Sequence, residues 1–178
     1  KFGAAGDFVT APELGGLFAQ CVADATAPVL RQIGNDALFL ELGGGSGALA
    51  EHALLRFAAR GVVPARYAIL EPSADLRERQ RERLRNALPD ELFAHVEWLD
   101  GPPESAWNGV LFANEVLDAL PTSRFVVRAG ESFEECVALD VEGGFVRVER
   151  PSDILLSGAL KNVERGLGIS RASKSYTP

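Results

Sequence analysis

The sequence predicts a single α/β domain wound around a parallel sheet, and three observations carry that reading. An apolar run at residues 37–40 leads directly into Glu41-Leu-Gly-Gly-Gly-Ser-Gly47. Ala50, Ala53, Leu54, Phe57 and Ala58 then recur at the spacing of a helix that packs one face on a sheet, and Gly61 stops it. A second strand-like run, Arg66-Tyr-Ala-Ile-Leu70, ends in the acid Glu71. Strand, glycine turn, helix and strand in that order make the nucleotide-binding half of a doubly wound fold.

Ahead of the first strand, Thr10-Ala-Pro-Glu13 is a capping box with proline just inside the helix. Leu14, Leu17, Phe18, Cys21, Val22 and Ala25 continue at helical spacing, which places Cys21 in the core rather than in a nucleophile's position. Pro28 is expected to end or kink this helix before a short second piece at residues 29–33. The glycine-bearing segment at residues 3–8 reads either as a lead-in or as a flap over a cofactor.

The glycine turn fits two cofactor classes. Gly43-x-Gly45-x-x-Ala48 satisfies the dinucleotide fingerprint in its alanine-ended form, while Glu41-x-Gly43-x-Gly45-x-Gly47 is the pattern of S-adenosylmethionine-dependent enzymes. An acid two residues ahead of the first glycine suits a cofactor with an ammonium group and would repel a pyrophosphate. Gly47 has no role in the dinucleotide pattern, and the motif begins some forty residues into the chain. These points favour S-adenosylmethionine, with a ligand-free tight turn as the plain alternative. In either class a carboxylate closing the next strand accepts hydrogen bonds from ribose hydroxyls; Glu71, 24 residues beyond Gly47, is in place for it, with an ordinary strand-end carboxylate as the alternative.

Pro72-Ser73 starts the next helix, with Asp75 in its first turn and Leu76, Leu84 and Leu88 as a thin buried stripe. Its arginines at 77, 79, 81, 83 and 85 spread around the helix among Glu78 and Glu82, which reads as solvated surface. Val96-Glu-Trp-Leu99 is a third strand, and Trp98 or Asp100 at its end would lie where an adenine ring stacks or donates its amino group, with Trp98 as a core residue the equal alternative. A fourth strand at residues 108–113 runs into Asn114-Glu-Val-Leu-Asp-Ala-Leu-Pro121. Ligands bind outside the carboxyl ends of such strands, so Asn114, Glu115 and Asp118 should face the same crevice as the glycine turn. One helical turn there would put Glu115 and Asp118 on one side, a pairing that suits a planar guanidinium, whereas Asn114 and Asp118 as mere helix caps is the alternative.

Composition narrows the function classes. The chain has 178 residues, 47% of them apolar and 24% charged, as in ordinary globular domains. A net charge of −7 argues against sequence-independent binding of nucleic acid or anionic membrane and favours a cationic partner. Cys21 and Cys136 stand far apart, with only His52 and His95 beside them in the sequence, so neither a disulfide scaffold nor a metal site is indicated and a reducing compartment is expected. No apolar run reaches the roughly 18 residues of a membrane span, and the start lacks the order of a signal peptide.

Four motifs in order carry a resemblance: Gly6-Asp-Phe-Val-Thr-Ala-Pro-Glu13, Glu41-Leu-Gly-Gly-Gly-Ser-Gly47, Leu70-Glu-Pro-Ser73 with Leu76-Arg77 and Gln80, and Ala113-Asn-Glu-Val-Leu-Asp-Ala-Leu-Pro121. Over residues 1 to about 150 the chain resembles the MidA family. That family is similar to class I methyltransferases and includes a mitochondrial enzyme that dimethylates an arginine of a respiratory complex I subunit during assembly. The resemblance implies a Rossmann-like class I methyltransferase sheet with an inserted β-meander and S-adenosyl-L-methionine as cofactor. It implies Gly43, Gly45, Gly47 and Glu71 on the cofactor side, where the acid at Glu41 is read from its position ahead of the turn, and Asn114, Glu115 and Asp118 near the substrate.

Residues 124–129, 133–140 and 145–149, with Gly143-Gly144 between the last two, read as the meander. The likeness fades beyond Pro151, and the chain is expected to be truncated at both ends. The expected organisation is one incomplete domain: a helical segment at 1–36, a cofactor-binding core at 37–121, the meander at 122–150 and a divergent tail with few apolar anchors at 151–178. The function expected is arginine methylation of a respiratory-complex or other protein partner, in the cytoplasm or in the mitochondrial matrix of a eukaryote. A non-catalytic assembly factor and an NAD(P)-dependent oxidoreductase are the alternatives.

Overall fold

The structure, a computed structural model, describes residues 11–168. Thr10 and the segment at 3–8 lie outside the described residues. The chain divides into two compact units, residues 1–119 and 120–178, taken here in turn.

In the first unit a four-residue 3-10 helix, Ala11–Leu14, is broken at Gly15, and α1 follows as Gly16–Ile33. The helix neither ends at Pro28 nor divides there; it runs on to Gly34, whose N–H donates to the Leu30 carbonyl at 2.9 Å. Ala27 and Leu30 are buried on either side of the exposed proline, so packing holds the helix across a position where an isolated helix would break. The buried stripe of α1 is Ala19, Ala23, Ala27 and Leu30. Cys21 and Ala25 are on the surface, and so are Leu14 and Leu17, which corrects the core position expected for Cys21. The chain buries small residues here because alanines at i, i+4 and i+8 let α1 approach α2, which buries Ala50 and Ala53 in the same cluster. Asp24 locks the pair: it accepts bidentate bonds from Arg56 at 2.6 and 2.8 Å and from Arg60 at 2.8 Å. The two guanidiniums, Arg56 foremost, hold the Asp24 carboxyl well below the usual carboxylate range.

The elements that follow are β1 (Leu38–Leu42), α2 (Ala48–Ala59), β2 (Arg66–Leu70), α3 (Ala74–Ala87), the single turn α4 (Asp90–Phe93), β3 (Val96–Leu99) and β4 (Gly109–Ala113). All four strands are parallel, in the order β3-β2-β1-β4, with Leu38 opposite both Arg66 and Gly109. The mixed α/β architecture read from the sequence is borne out. Buried residues of α1, α2 and α3 gather with Phe39, Tyr67 and Ile69 on one face of the sheet, while Leu38, Leu40 and Ala68 belong to the other. The chain winds from β1 outward to β3 and then returns to lay β4 on the opposite side of β1. A doubly wound sheet opens its ligand crevice at such a reversal.

The second unit begins with β5 (Arg124–Arg128), β6 (Glu131–Leu139) and β7 (Phe145–Pro151), an antiparallel meander in that order, as expected. The turn before β7 closes on Asp140, whose carboxylate accepts the N–H groups of Glu142 at 2.9 Å and Gly144 at 2.8 Å. Where a divergent tail was expected, Ile154–Leu167 forms a helix, α5. Its boundary signals are local: Asp153 caps it by accepting from Leu156 N–H at 2.8 Å, and Gly168 ends it in the left-handed conformation. No helix among the described residues is long and apolar enough to cross a membrane.

Candidate active site

The site forms where β1, β2 and β4 release the chain at their carboxyl ends. Gly43, Gly45 and Gly47 all take positive φ, at 65°, 52° and 83°, and Gly47 is the cap residue of α2. The turn is closed by the Gly47 N–H donating to the Gly44 carbonyl at 2.8 Å, and it joins β2 through the Gly43 N–H and the Leu70 carbonyl at 3.0 Å. A Cβ on Gly45 would meet no heavy atom within 4 Å, so that side of the turn opens on free space. A Cβ on Gly43 would come within 2.8 Å of Val116 Cγ2, which brings the segment after β4 against the turn. This is a backbone that only glycine adopts readily, at the start of a helix whose free N–H groups suit a polar ligand.

Two carboxylates are buried at the strand ends beside the turn, Glu41 at 4% exposure and Glu71 at 5%. Glu41 accepts a hydrogen bond from the Tyr67 hydroxyl at 2.8 Å. Burial is the main cause that pushes its carboxyl up to about 7; the Tyr67 bond opposes the shift and the nearby Glu71 charge adds to it. Glu71 follows β2, and its Oε1 accepts the Ser73 N–H at 3.0 Å. The glycine turn and the two acids thus come together as the spacing implied, and a bare backbone beside buried acceptors fits a cofactor that offers ribose hydroxyls and an ammonium group.

The other expected residues fall differently. The Trp98 indole N–H donates to Gln80 Oε1 at 2.8 Å, and its ring lies beneath the Arg81 guanidinium at 4.8 Å and against Phe93. Trp98 is thereby engaged with α3 and α4. Asp100 is open to solvent and pairs with Arg77 at 2.6 Å. Asn114 is half-buried, while Glu115 and Asp118 are exposed. The helical turn expected across this pair is only a 3-10 turn, Leu117–Ala119, which carries Asp118. Glu115 stands outside it with φ 50°, a left-handed conformation uncommon for any residue but glycine. The i, i+3 relation on one helix is therefore absent, because the residue that would begin the turn is wound the other way.

Sequence reasoning missed the role of α3. Its arginines were expected in solvent, yet Arg77 donates to the Leu99 carbonyl at 2.5 Å, to the Glu71 carbonyl and to Asp100, fastening the loops after β2 and β3. Arg83 bonds Glu51 at 2.6 Å and Ser46 Oγ at 3.2 Å, bracing α2 and the turn. Gln80, fully buried, donates to the Gly45 carbonyl at 2.9 Å. One sign of this was present in the chain: Gln80 sits four residues after Leu76 and four before Leu84, a polar residue inside an apolar stripe. Among the described residues no group of three His, Cys, Asp or Glu side chains is placed to hold a metal ion.

No curated protein matches the sequence. A protein of the COG1565 superfamily from Burkholderia thailandensis, described as a likely methyl transferase and solved with S-adenosyl-homocysteine bound, is 42% identical over 89% of this chain and 40% of its own, with a TM-score of 0.63. A second structure of a COG1565 superfamily protein from the same organism, solved in native form, is 41% identical over 89% of this chain and 41% of its own, with a TM-score of 0.60. The chain thus spans about two fifths of the length of these relatives. Residues 21–176 match the model of a family described as "Putative S-adenosyl-L-methionine-dependent methyltransferase". The likeness to a class I methyltransferase family that the four ordered motifs carry is borne out, and the chain belongs to this family of S-adenosyl-L-methionine-dependent methyltransferases.

Proposed function

We propose that the protein transfers a methyl group from S-adenosyl-L-methionine to an arginine side chain of a protein partner. The observation that carries the cofactor half is the turn at residues 43–47, left-handed at three glycines, open beyond Gly45 and flanked by the buried Glu41 and Glu71. Residues 37–121 form the cofactor-binding core in this reading. Glu71 accepts from the ribose hydroxyls, Glu41 favours the ammonium of the methionine moiety, and the bare amides of the turn let the cofactor lie close to the backbone. Asp100, in solvent beyond β3, takes the adenine amino group, with Trp98 supporting that end of the sheet from below.

Bound there, S-adenosyl-L-methionine supplies an activated methyl group on a sulfonium centre. The chain's own residues align the acceptor. Glu115 and Asp118 offer two exposed carboxylates beside the turn for a guanidinium, and Asn114, half-buried, orients it. The acidic net charge of −7 supports a cationic acceptor, and the MidA resemblance supports arginine in particular. The carboxylates of Glu115 and Asp118 would offset the positive charge that the acceptor nitrogen gains on methylation and would take up the N–H proton that it sheds.

Calorimetric titration with S-adenosylmethionine, S-adenosylhomocysteine and NAD tests the cofactor half. Binding of the first two and not the third is the expected result. NAD binding alone would move the site to the oxidoreductase class. Methyl incorporation into arginine of a captured partner, read by mass spectrometry, tests the other half, and a protein that binds cofactor but methylates nothing in cell extract would count as an assembly factor.

A further inference from the structure

We propose that Gln80 is a positioning residue for the cofactor: its carboxamide locks the glycine turn in the binding conformation through a relay from Trp98 to the Gly45 carbonyl. The role rests on the cofactor reading of the turn.

The turn contains three left-handed glycines, and glycine gains the most conformational freedom when released, so its Gly47-to-Gly44 bond needs support from outside the turn. Gln80 supplies a buried side-chain restraint at its middle glycine. It is 0% exposed and its Nε2 donates to the Gly45 carbonyl at 2.9 Å, while its Oε1 accepts the Trp98 indole N–H at 2.8 Å. The amide orientation is chemically forced, since an indole N–H only donates and a carbonyl only accepts. Neither end of the relay tolerates a flip. The side chain also fills the space beneath the turn: a Cβ on Gly44 would lie 3.1 Å from Gln80 Nε2, and one on Gly47 would lie 3.4 Å from its Cγ. Trp98 is in turn fixed by Arg81 over its ring and by Phe93, so the restraint ends in packed side chains rather than in solvent. Glutamine is therefore specified over its closest isostere. A glutamate would still accept from Trp98 but would set a carboxylate against the Gly45 carbonyl, two acceptors facing each other in a buried site.

The test compares Gln80→Glu, Gln80→Met and Leu84→Ala with wild type. Leu84 is a fully buried neighbour on the same helix that touches no part of the turn's hydrogen bonding, so its truncation measures the effect of a weakened helix alone. S-adenosylhomocysteine affinity by calorimetry and exchange of the Gly47 amide by NMR are both read, with the thermal midpoint as the stability measure. Both Gln80 variants are expected to weaken binding on the order of 10- to 100-fold and to speed Gly47 exchange, while Leu84→Ala lowers the midpoint and leaves affinity within about twofold. Trp98→Phe, which removes the indole donor together with part of the ring but leaves Gln80 on Gly45, should fall between wild type and Gln80→Met. Wild-type binding matched by Gln80→Met, or an affinity loss in Leu84→Ala as large as that in the Gln80 variants, overturns the positioning role. A wild type that binds no S-adenosylhomocysteine overturns the cofactor reading, and with it this role; faster Gly47 exchange in the variants would then show a brace of the turn alone.

Discussion

The turn at residues 43–47 is tied through Gly43 to β2, through Gly45 to Gln80 and through Ser46 to Arg83, whereas the neighbouring segment after β4 hangs on little. Asn114, Glu115 and Asp118 make no side-chain hydrogen bond to another described residue, and the local bond from the Ala119 N–H to the Val116 carbonyl, at 3.2 Å, is the tie within their turn. The two lie against each other at Gly43 and Val116. A small, invariant ligand is best met by a preorganised backbone, since ordering is then spent in folding and not in binding. A side chain presented by another protein arrives with its own geometry, and exposed carboxylates on a loosely held segment can adjust to it. The left-handed Glu115 fits that division: its strain lies next to Val116, which packs against Gly43 of the rigid turn.

The largest effect should come from the rigid side. Gly45→Val puts a branched side chain where the backbone is left-handed and where the turn opens on free space. We expect calorimetry to show S-adenosylhomocysteine affinity reduced by more than about 100-fold, with the helical circular dichroism retained. Unchanged affinity would place the cofactor elsewhere.

Next comes the loose side. Glu115→Gln with Asp118→Asn should leave cofactor affinity nearly intact and depress methyl transfer, because these carboxylates are assigned to the acceptor. A barrier increase of about 2 to 4 kcal/mol, or a rate loss of roughly 30- to 1,000-fold at saturating cofactor, is the expected size. Full activity would reduce the pair to surface charge; loss of cofactor binding would move them across the crevice.

The third prediction concerns pH. Glu41 keeps its proton in the folded protein to about pH 7, against an ordinary value of 4.5. Between those values the folded state binds the extra proton, so stability falls as pH rises through that window and is level above it. The full span corresponds to about 3 kcal/mol. Glu41→Gln, which can still accept from Tyr67, should match wild type near pH 4 and exceed it by up to that amount near pH 8 in denaturant titrations. Parallel pH profiles for the two proteins would show that this carboxyl does not carry the slope.

The smallest effect is Glu71→Ala, expected to weaken cofactor binding by about 1 to 3 kcal/mol, the scale of hydrogen bonds lost to a charged acceptor. A companion Ser73→Ala, which removes the cap of α3 and keeps the carboxylate, separates the ribose contact from a merely shifted helix. Equal losses in the two variants would favour the helix.

The strands and the turn were legible because their causes are local. An apolar run long enough to be buried, glycines where no Cβ fits, and an acid at the next strand end leave few arrangements open, and β2 spans Arg66–Leu70 as the residues predict. The order of motifs along the chain was enough to identify the family. What remained was decided by partners distant in sequence. The face of α1 turned on how close α2 could approach, so alanines went inside and Cys21 outside. Pro28 stayed within a helix because buried residues on both sides held it. Arg77, Gln80 and Arg83 became supports of the site only once α3 lay across the ends of β1, β2 and β3. By itself the sequence determined where the backbone can bend and what it can bury, since those are properties of single residues and their immediate neighbours. Tertiary structure alone decided which polar side chains meet: the chain marks Gln80 as a polar residue within an apolar stripe, but its partner, the Gly45 carbonyl 35 positions away, is named by neither residue's own surroundings.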